Sequence, residues 1–172
     1  DNCPQDRWNR MVKIKRIDVK DYNLNNGDFI YICCNRGSSG YSGLGVNAAQ
    51  WAIDTVEELR KHTDRPIKIR QHSSMSYAEH KPDFNRLKEF CERQKNVSLH
   101  SPLGEYPGLV NQIKKSYAVV IFTSTAGGPA IVEGKPLFIC NKHCYYLPMK
   151  AGELSDIEKP NISIDRQQFL NN

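Results

Sequence analysis

From residue 28 onward the chain alternates two hydrophobic patterns. Asp28-Phe-Ile-Tyr-Ile-Cys-Cys34 is a short, unbroken apolar run, as expected of a strand covered on both faces. From Asn47 to His62 the pattern changes. Ala48, Trp51, Ala52, Thr55, Val56 and Leu59 recur at helical spacing, with Asp54, Glu57, Glu58 and Arg60 opposite. Pro66 to Arg70 predicts a second strand, and Pro82 to Gln94 a helix with Phe84, Leu87, Phe90 and Cys91 on one face. Asn96 to His100 follows as a strand, and Leu109 to Ser116 as a short helix whose Lys114 and Lys115 suit a carboxyl end. Ala118-Val-Val-Ile-Phe122 is the most hydrophobic strand. Ala126 to Glu133 then predicts a helix and Pro136 to Cys140 a fifth strand, before a loop-rich tail with a short helix near Arg166 to Leu170. Strand and helix alternate throughout, which predicts one doubly wound, Rossmann-like α/β domain over residues 28–172, with about five parallel strands and helices on both faces. In such sheets ligands collect at the carboxyl ends of the strands.

Residues 1–27 lack strong periodicity and read as a lead-in segment. In it Lys13, Lys15, Arg16 and Lys20 alternate with Ile14, Ile17 and Val19, a pattern that predicts an exposed edge strand, with a nucleic-acid contact as the alternative. The net charge of +5 permits a polyanionic partner without requiring one. No apolar run reaches the roughly 20 residues of a membrane span, and Asp1 to Arg10 has no signal-peptide core, so a cytoplasmic location is expected. The six cysteines form no regular framework, and reduced thiols are expected.

Four stretches could carry chemistry, each at or directly after the end of an expected strand. The first is Asn35-Arg-Gly-Ser-Ser-Gly-Tyr-Ser-Gly-Leu-Gly45, between a buried strand and a helix. Here Arg36, Gly37, Ser38, Ser39, Gly40, Ser42 and Gly43 are read as a phosphate cradle, because glycine lets backbone amides approach an anion and a helix amino terminus adds positive potential. The spacing fits neither the dinucleotide fingerprint nor the P-loop, and a flexible surface loop is the plain alternative. The second is Thr123-Ser-Thr-Ala-Gly-Gly-Pro129, where Ser124 or Thr125 is a natural helix cap and Gly127 and Gly128 leave space for a ligand. The third is Arg70-Gln-His72, whose histidine could act as acid, base or phosphate partner. The fourth, Cys140-Asn-Lys-His-Cys144, has zinc-ligand residue types but no second pair, and reads better as a ligand-facing loop with His143, Tyr145 and Tyr146 available for stacking; no metal is expected.

Arg70-Gln-His72, Ser124-Thr-Ala-Gly-Gly-Pro-Ala130 and Glu133-Gly-Lys-Pro136, taken together, resemble the nucleotide-binding half of GT-B glycosyltransferases. The stretch from Trp51 to Arg70 and the ending Leu154-Ser-Asp-Ile-Glu-Lys-Pro160 with Asp165-Arg166 are similar to glycosyltransferase-like proteins of tailed phages. The resemblance implies a nucleotide-sugar donor as co-substrate, with no further cofactor and no obligatory metal. It implies that Arg36, the Gly37 to Gly45 loop, Ser124 and Thr125 contact the donor diphosphate, with His72 near the donor phosphate or sugar. Arg36 and His72 are the expected catalytic pair. Modified bases of phage DNA become a plausible acceptor, and host cytoplasm the expected location.

The chain departs from the family where many members place a ribose-binding Glu five positions before the glycine of Gly-Lys-Pro, because that position is Pro129 here. A second Rossmann domain for the acceptor does not fit in 172 residues, so the expectation is a reduced acceptor surface, a partner subunit or second copy (a homo-oligomer) that supplies it, or a chain that is no longer a transferase. The rival readings are a non-catalytic module that binds a nucleotide or phosphate, and an oxidoreductase or sugar-phosphate enzyme of Rossmann type.

Overall fold

A computed structural model describes residues 13, 18–24, 27–35, 45–72, 81–100, 108–166 and 169. Its core is a five-stranded, all-parallel sheet made of β1 (Phe29–Cys33), β2 (Ile67–Arg70), β3 (Val97–His100), β4 (Ser116–Ile121) and β5 (Leu137–Ile139), in the order β3-β2-β1-β4-β5. The helices between them are α1 (Ala48–Arg60), α2 (Lys81–Arg93), α3 (Leu109–Lys115) and α4 (Gly127–Val132). These elements match the expected alternation to within about two residues at each end, the usual scatter of helix and strand boundaries.

The side-chain period of two decides which helix covers which face. Ile30, Ile32, Ile67, Ile69, Val120 and Phe138 point into one core with Val56 and Leu59 of α1 and Leu87 and Phe90 of α2. Phe29, Tyr31, Val119, Ile121 and Leu137 point into a second core with Ile113 of α3 and Ala130 and Ile131 of α4. β1 and β4 are buried along their whole length, which is why they read as unbroken apolar runs. β2 instead alternates: Ile67 and Ile69 are buried while Lys68 and Arg70 are half-buried on the other face, where the Lys68 ammonium lies 3.8 Å from the Phe29 ring centroid. The sheet is therefore doubly wound, and its winding reverses between β1 and β4.

Two further contacts fix the amino edge of the sheet. The Arg60 guanidinium donates to the carbonyls of Thr63 (3.1 Å), Arg65 (2.8 Å), Lys95 (3.3 Å) and Asn96 (3.2 Å), tying the entries of β2 and β3 to the end of α1. In the tail, Glu158 accepts from the Thr63 hydroxyl and from Arg65 Nε, at 3.1 Å to each carboxylate oxygen, and Arg65 in turn lies 3.8 Å over the Tyr117 ring. The tail is thus held by an ion pair as well as by Ile157 in the core.

The lead-in is not an edge strand where it is described. Lys13 is helical, Asp18 to Asn23 have no regular structure, and 14–17 lie outside the described residues. Its backbone donors go to the end of α4 instead. The Lys20 amide donates to the Val132 carbonyl (2.9 Å) and the Asn23 amide to the Gly134 carbonyl (3.4 Å), satisfying groups a helix end leaves open. Gly134 is required there: it has φ +65°, and a Cβ on it would stand 2.1 Å from the Asp21 carbonyl oxygen. Among the described residues, no helix is long and apolar enough to cross a membrane.

Candidate functional site

The winding reverses between β1 and β4, and the carboxyl ends of the strands at such a reversal are where open α/β sheets bind ligands. A residue that sequence reasoning passed over spans the two strand ends. Asn35, immediately after the buried end of β1, donates from Nδ2 to Thr123 Oγ1 (2.5 Å) and accepts at Oδ1 from the Thr123 amide (3.3 Å). One amide side chain thus clips the start of the glycine-rich stretch to the turn that follows β4. The only signal in the sequence is a polar residue directly after an apolar run.

The serine-rich turn takes a different local form from the one expected. Ser124 is buried, and its hydroxyl accepts from the Ala126 amide (3.3 Å), closing a turn ahead of the helix. The residue at the helix cap is Ala126, which brings no side-chain bond. Thr125 is exposed beside it. Gly127 and Gly128 border a tyrosine. The Tyr146 ring lies on Gly127 so closely that a Cβ there would stand 2.6 Å from Tyr146 Cδ2, and the Gly128 amide lies against the Tyr146 hydroxyl. Burial, the larger effect, pushes the Tyr146 phenol up, and the amide works against it. Tyr145 stacks edge-on to Tyr146 at 5.5 Å and is 71% exposed, with Phe169 behind both at 5.4 and 6.1 Å.

The contact yields a prediction. Gly127→Ala should lower stability by about 1–3 kcal/mol through overpacking against Tyr146. In a background of Tyr146→Ala the same change should cost much less, and a double-mutant cycle by thermal or urea unfolding checks the coupling.

At the end of β2, Arg70 and His72 are half-buried and Gln71 is buried. The Arg70 carbonyl accepts from the Cys34 amide (2.9 Å), which places this turn beside the end of β1. The Cys34 thiol is pushed up to about 12 by burial, with Cys91 adding to the rise and Arg70 opposing it. Cys33 is raised further for the same first cause. Neither thiol is a nucleophile at neutral pH. The structure thus gathers Asn35, Arg70, His72, Thr123, Ser124 and Thr125 at the carboxyl ends of β1, β2 and β4. Arg36, Gly37, Ser38, Ser39, Gly40, Ser42 and Gly43 lie outside the described residues.

His100 ends β3, with its ring 6.1 Å from that of Tyr31. Burial lowers its pKa from 6.5, and the neighbouring Lys68 lowers it further. A histidine held neutral in the fold but free to protonate in the unfolded chain makes the unfolded state bind more protons below that value. Stability should therefore fall as pH drops from about 7.5 to about 5.5. His100→Gln should flatten that slope in thermal melts across the range.

The loop after β5 is a closed turn. Buried Asn141 accepts from the His143 amide (2.9 Å), and its carbonyl accepts from the Cys144 amide (3.1 Å). Burial is the main cause that raises Cys140 to about 11 and also raises Cys144, so both hold their protons. Among the described residues no group of three His, Cys, Asp or Glu could hold a metal ion. Glu133 is at the opposite end of the sheet from this edge, before β5, where it pairs with Lys20 (2.5 Å) and Lys114 (3.8 Å). A role for it at the carboxyl edge is excluded by position.

No protein-family model matches the sequence. No curated protein matches it either. Among solved structures the chain is similar to KpsC of Thermosulfurimonas dismutans, a beta Kdo 2,7 transferase, with a TM-score of 0.56 and 17% identity over 99% of this chain and 53% of that one. The chain therefore spans about half the length of that structure. At this identity the likeness bears on architecture alone, and with the strand order it establishes a Rossmann-like α/β fold of the GT-B half type.

Proposed function

We propose that the chain is a glycosyltransferase-like protein that binds a nucleotide-sugar donor at the carboxyl ends of β1 and β4. The observation that carries this reading is the Asn35–Thr123 clip. It holds the root of a glycine- and serine-rich stretch against a second serine-rich turn at the one place where the winding of the sheet reverses. A sugar transferase shares this architecture, which makes nucleotide sugars the first ligands to test.

In this reading the donor diphosphate is held by backbone amides of the glycine-rich stretch, by Arg36 and by the Ser124–Thr125 turn. His72 and Arg70 approach from the end of β2. Transfer needs charge on the leaving diphosphate to be stabilised as its bond to the sugar breaks and the acceptor's bond to the sugar forms, and backbone amides with a guanidinium are groups that can supply it. Modified bases of DNA are the acceptor to try first, and a partner subunit or second copy would supply an acceptor surface.

The second reading is a binding module without turnover, in which the same sheet edge holds a nucleotide or a phosphorylated partner. Calorimetric titration with nucleoside diphosphates and nucleotide sugars tests both, and saturable binding of at least one is expected. Donor hydrolysis, assayed with and without DNA, then separates them. Binding without turnover selects the module, and no binding of any nucleotide at millimolar concentration would sink both.

A further inference from the structure

At the other end of the sheet, the lead-in and the ends of α3 and α4 enclose a cleft of about 450 Å³ lined by Lys20, Asp21, Tyr22, Lys114, Glu133 and Lys135. Two of its three lysines share one carboxylate, since Glu133 pairs with both Lys20 and Lys114. Lys135 has no ion pair among the described residues, and it is only 4% exposed. Glu133 attracts its ammonium, but that carboxylate already pairs with Lys20 and Lys114, so a further anion in the cleft would be favourable. Burial lowers the Lys135 pKa, with Glu133 opposing and Lys20 adding to the fall.

The lysines are not needed to cap α4. Its last carbonyls already accept from backbone amides and a guanidinium: Val132 from the Lys20 amide, Ala130 from the Lys135 amide, and Ile131 from the Gly134 amide and Arg166. One positive charge in the cleft is left over.

We propose that this cleft is a second anion site, taking a small oxyanion against Lys135 with Lys20 and Lys114 at its mouth. The ligand class is phosphate, free or as a phosphomonoester. Asp21 also lines the cleft and opposes a bound anion, so millimolar rather than micromolar affinity is expected.

The test is calorimetry of the whole chain in low salt, with inorganic phosphate in one arm and glycerol 3-phosphate in the other. Saturable binding of either supports the site, and the tighter arm names the source. Lys135→Met should weaken it about tenfold or more, whereas Lys68→Met, on β2 and three strands away from β5, should not. Absence of saturable binding in both arms, or equal binding by Lys135→Met, overturns the proposal. Should Lys135→Met fail to fold, trace acetylation of the unmodified protein gives the answer. Phosphate should protect Lys135 several-fold and leave Lys68 unchanged, and equal labelling of Lys135 with and without phosphate overturns it.

Discussion

Gly27→Ala is expected to destabilise the protein by about 3 kcal/mol or more, a loss reached when overpacking meets backbone that cannot move. A Cβ on Gly27 would stand 2.2 Å from Tyr117 Cα, 2.3 Å from its amide nitrogen and 2.6 Å from the Ser116 carbonyl carbon. No side-chain rotation relieves such a contact, because all three atoms are main chain of β4. The position is also a joint. The pairing of β1 with β4 shifts register between Phe29 and Ile30, and the Asp28 amide donates to the Lys115 carbonyl (3.2 Å) just before it. Moving Gly27 outward would pull β1 from the strand with which it makes its longest pairing, opening both cores. In a chain of this size the loss corresponds to a fall in melting temperature of roughly 6–12 °C. A fall of only a degree or two would show that the lead-in can shift as a unit and that this joint is not rigid.

Asn35→Asp is expected to leave stability nearly unchanged while weakening the binding of a nucleoside diphosphate by about a hundredfold. The carboxylate is isosteric with the amide and can still accept from the Thr123 amide and from its hydroxyl, so the clip survives. What changes is the sign of the charge at these strand ends. A negative group at the root of a proposed phosphate cradle repels a diphosphate by a few kcal/mol at short range, in the intermediate dielectric of a half-buried site. Asn35→Ala is the companion variant. It loses both hydrogen bonds, so its stability should drop by about 1–2 kcal/mol, and its affinity should fall less than that of Asn35→Asp. Melting curves and calorimetry on the two variants separate charge from geometry. If Asn35→Asp bound nucleotides as well as the unsubstituted chain, the phosphates would have to lie elsewhere.

These variants also show where sequence reasoning reached its limit. The doubly wound sheet was legible because periodicity reports burial directly. The unbroken runs at Phe29–Cys33 and Ser116–Ile121 are central strands, and the stripe from Ala48 to Leu59 is a helix face. The half-polar alternation of Ile67-Lys-Ile-Arg70 was equally visible and marks the face of β2 that the first core does not use. The site was legible only as a location. Strand ends at one sheet edge can be placed from the sequence, but the pairing of Asn35 with Thr123 joins residues far apart in the chain and leaves no local spacing. The glycines at 127 and 128 illustrate the same limit. Absence of a Cβ signals close approach, and the sequence does not say whether a ligand or Tyr146 makes it. The lead-in shows the same limit. The middle of its expected edge strand, 14–17, lies outside the described residues, and after it the backbone of Lys20 and Asn23 finds partners at the end of α4, an arrangement that depends on Gly134 leaving room for Asp21. Glu133, beside a family-like Gly-Lys-Pro, turns out to hold two lysines at the far end of the sheet.

The central claim is that a nucleotide diphosphate sits at the carboxyl ends of β1 and β4. The most direct measurement is amide chemical-shift mapping of the isotope-labelled chain during titration with the nucleoside diphosphate that calorimetry selects. The account predicts the largest changes at Asn35, at Thr123 to Gly128 and at Arg70 to His72, with little change at Lys20, Lys114 and Lys135. Shifts centred on the lysine cleft, or spread evenly with none at Asn35 and Thr123, would contradict it.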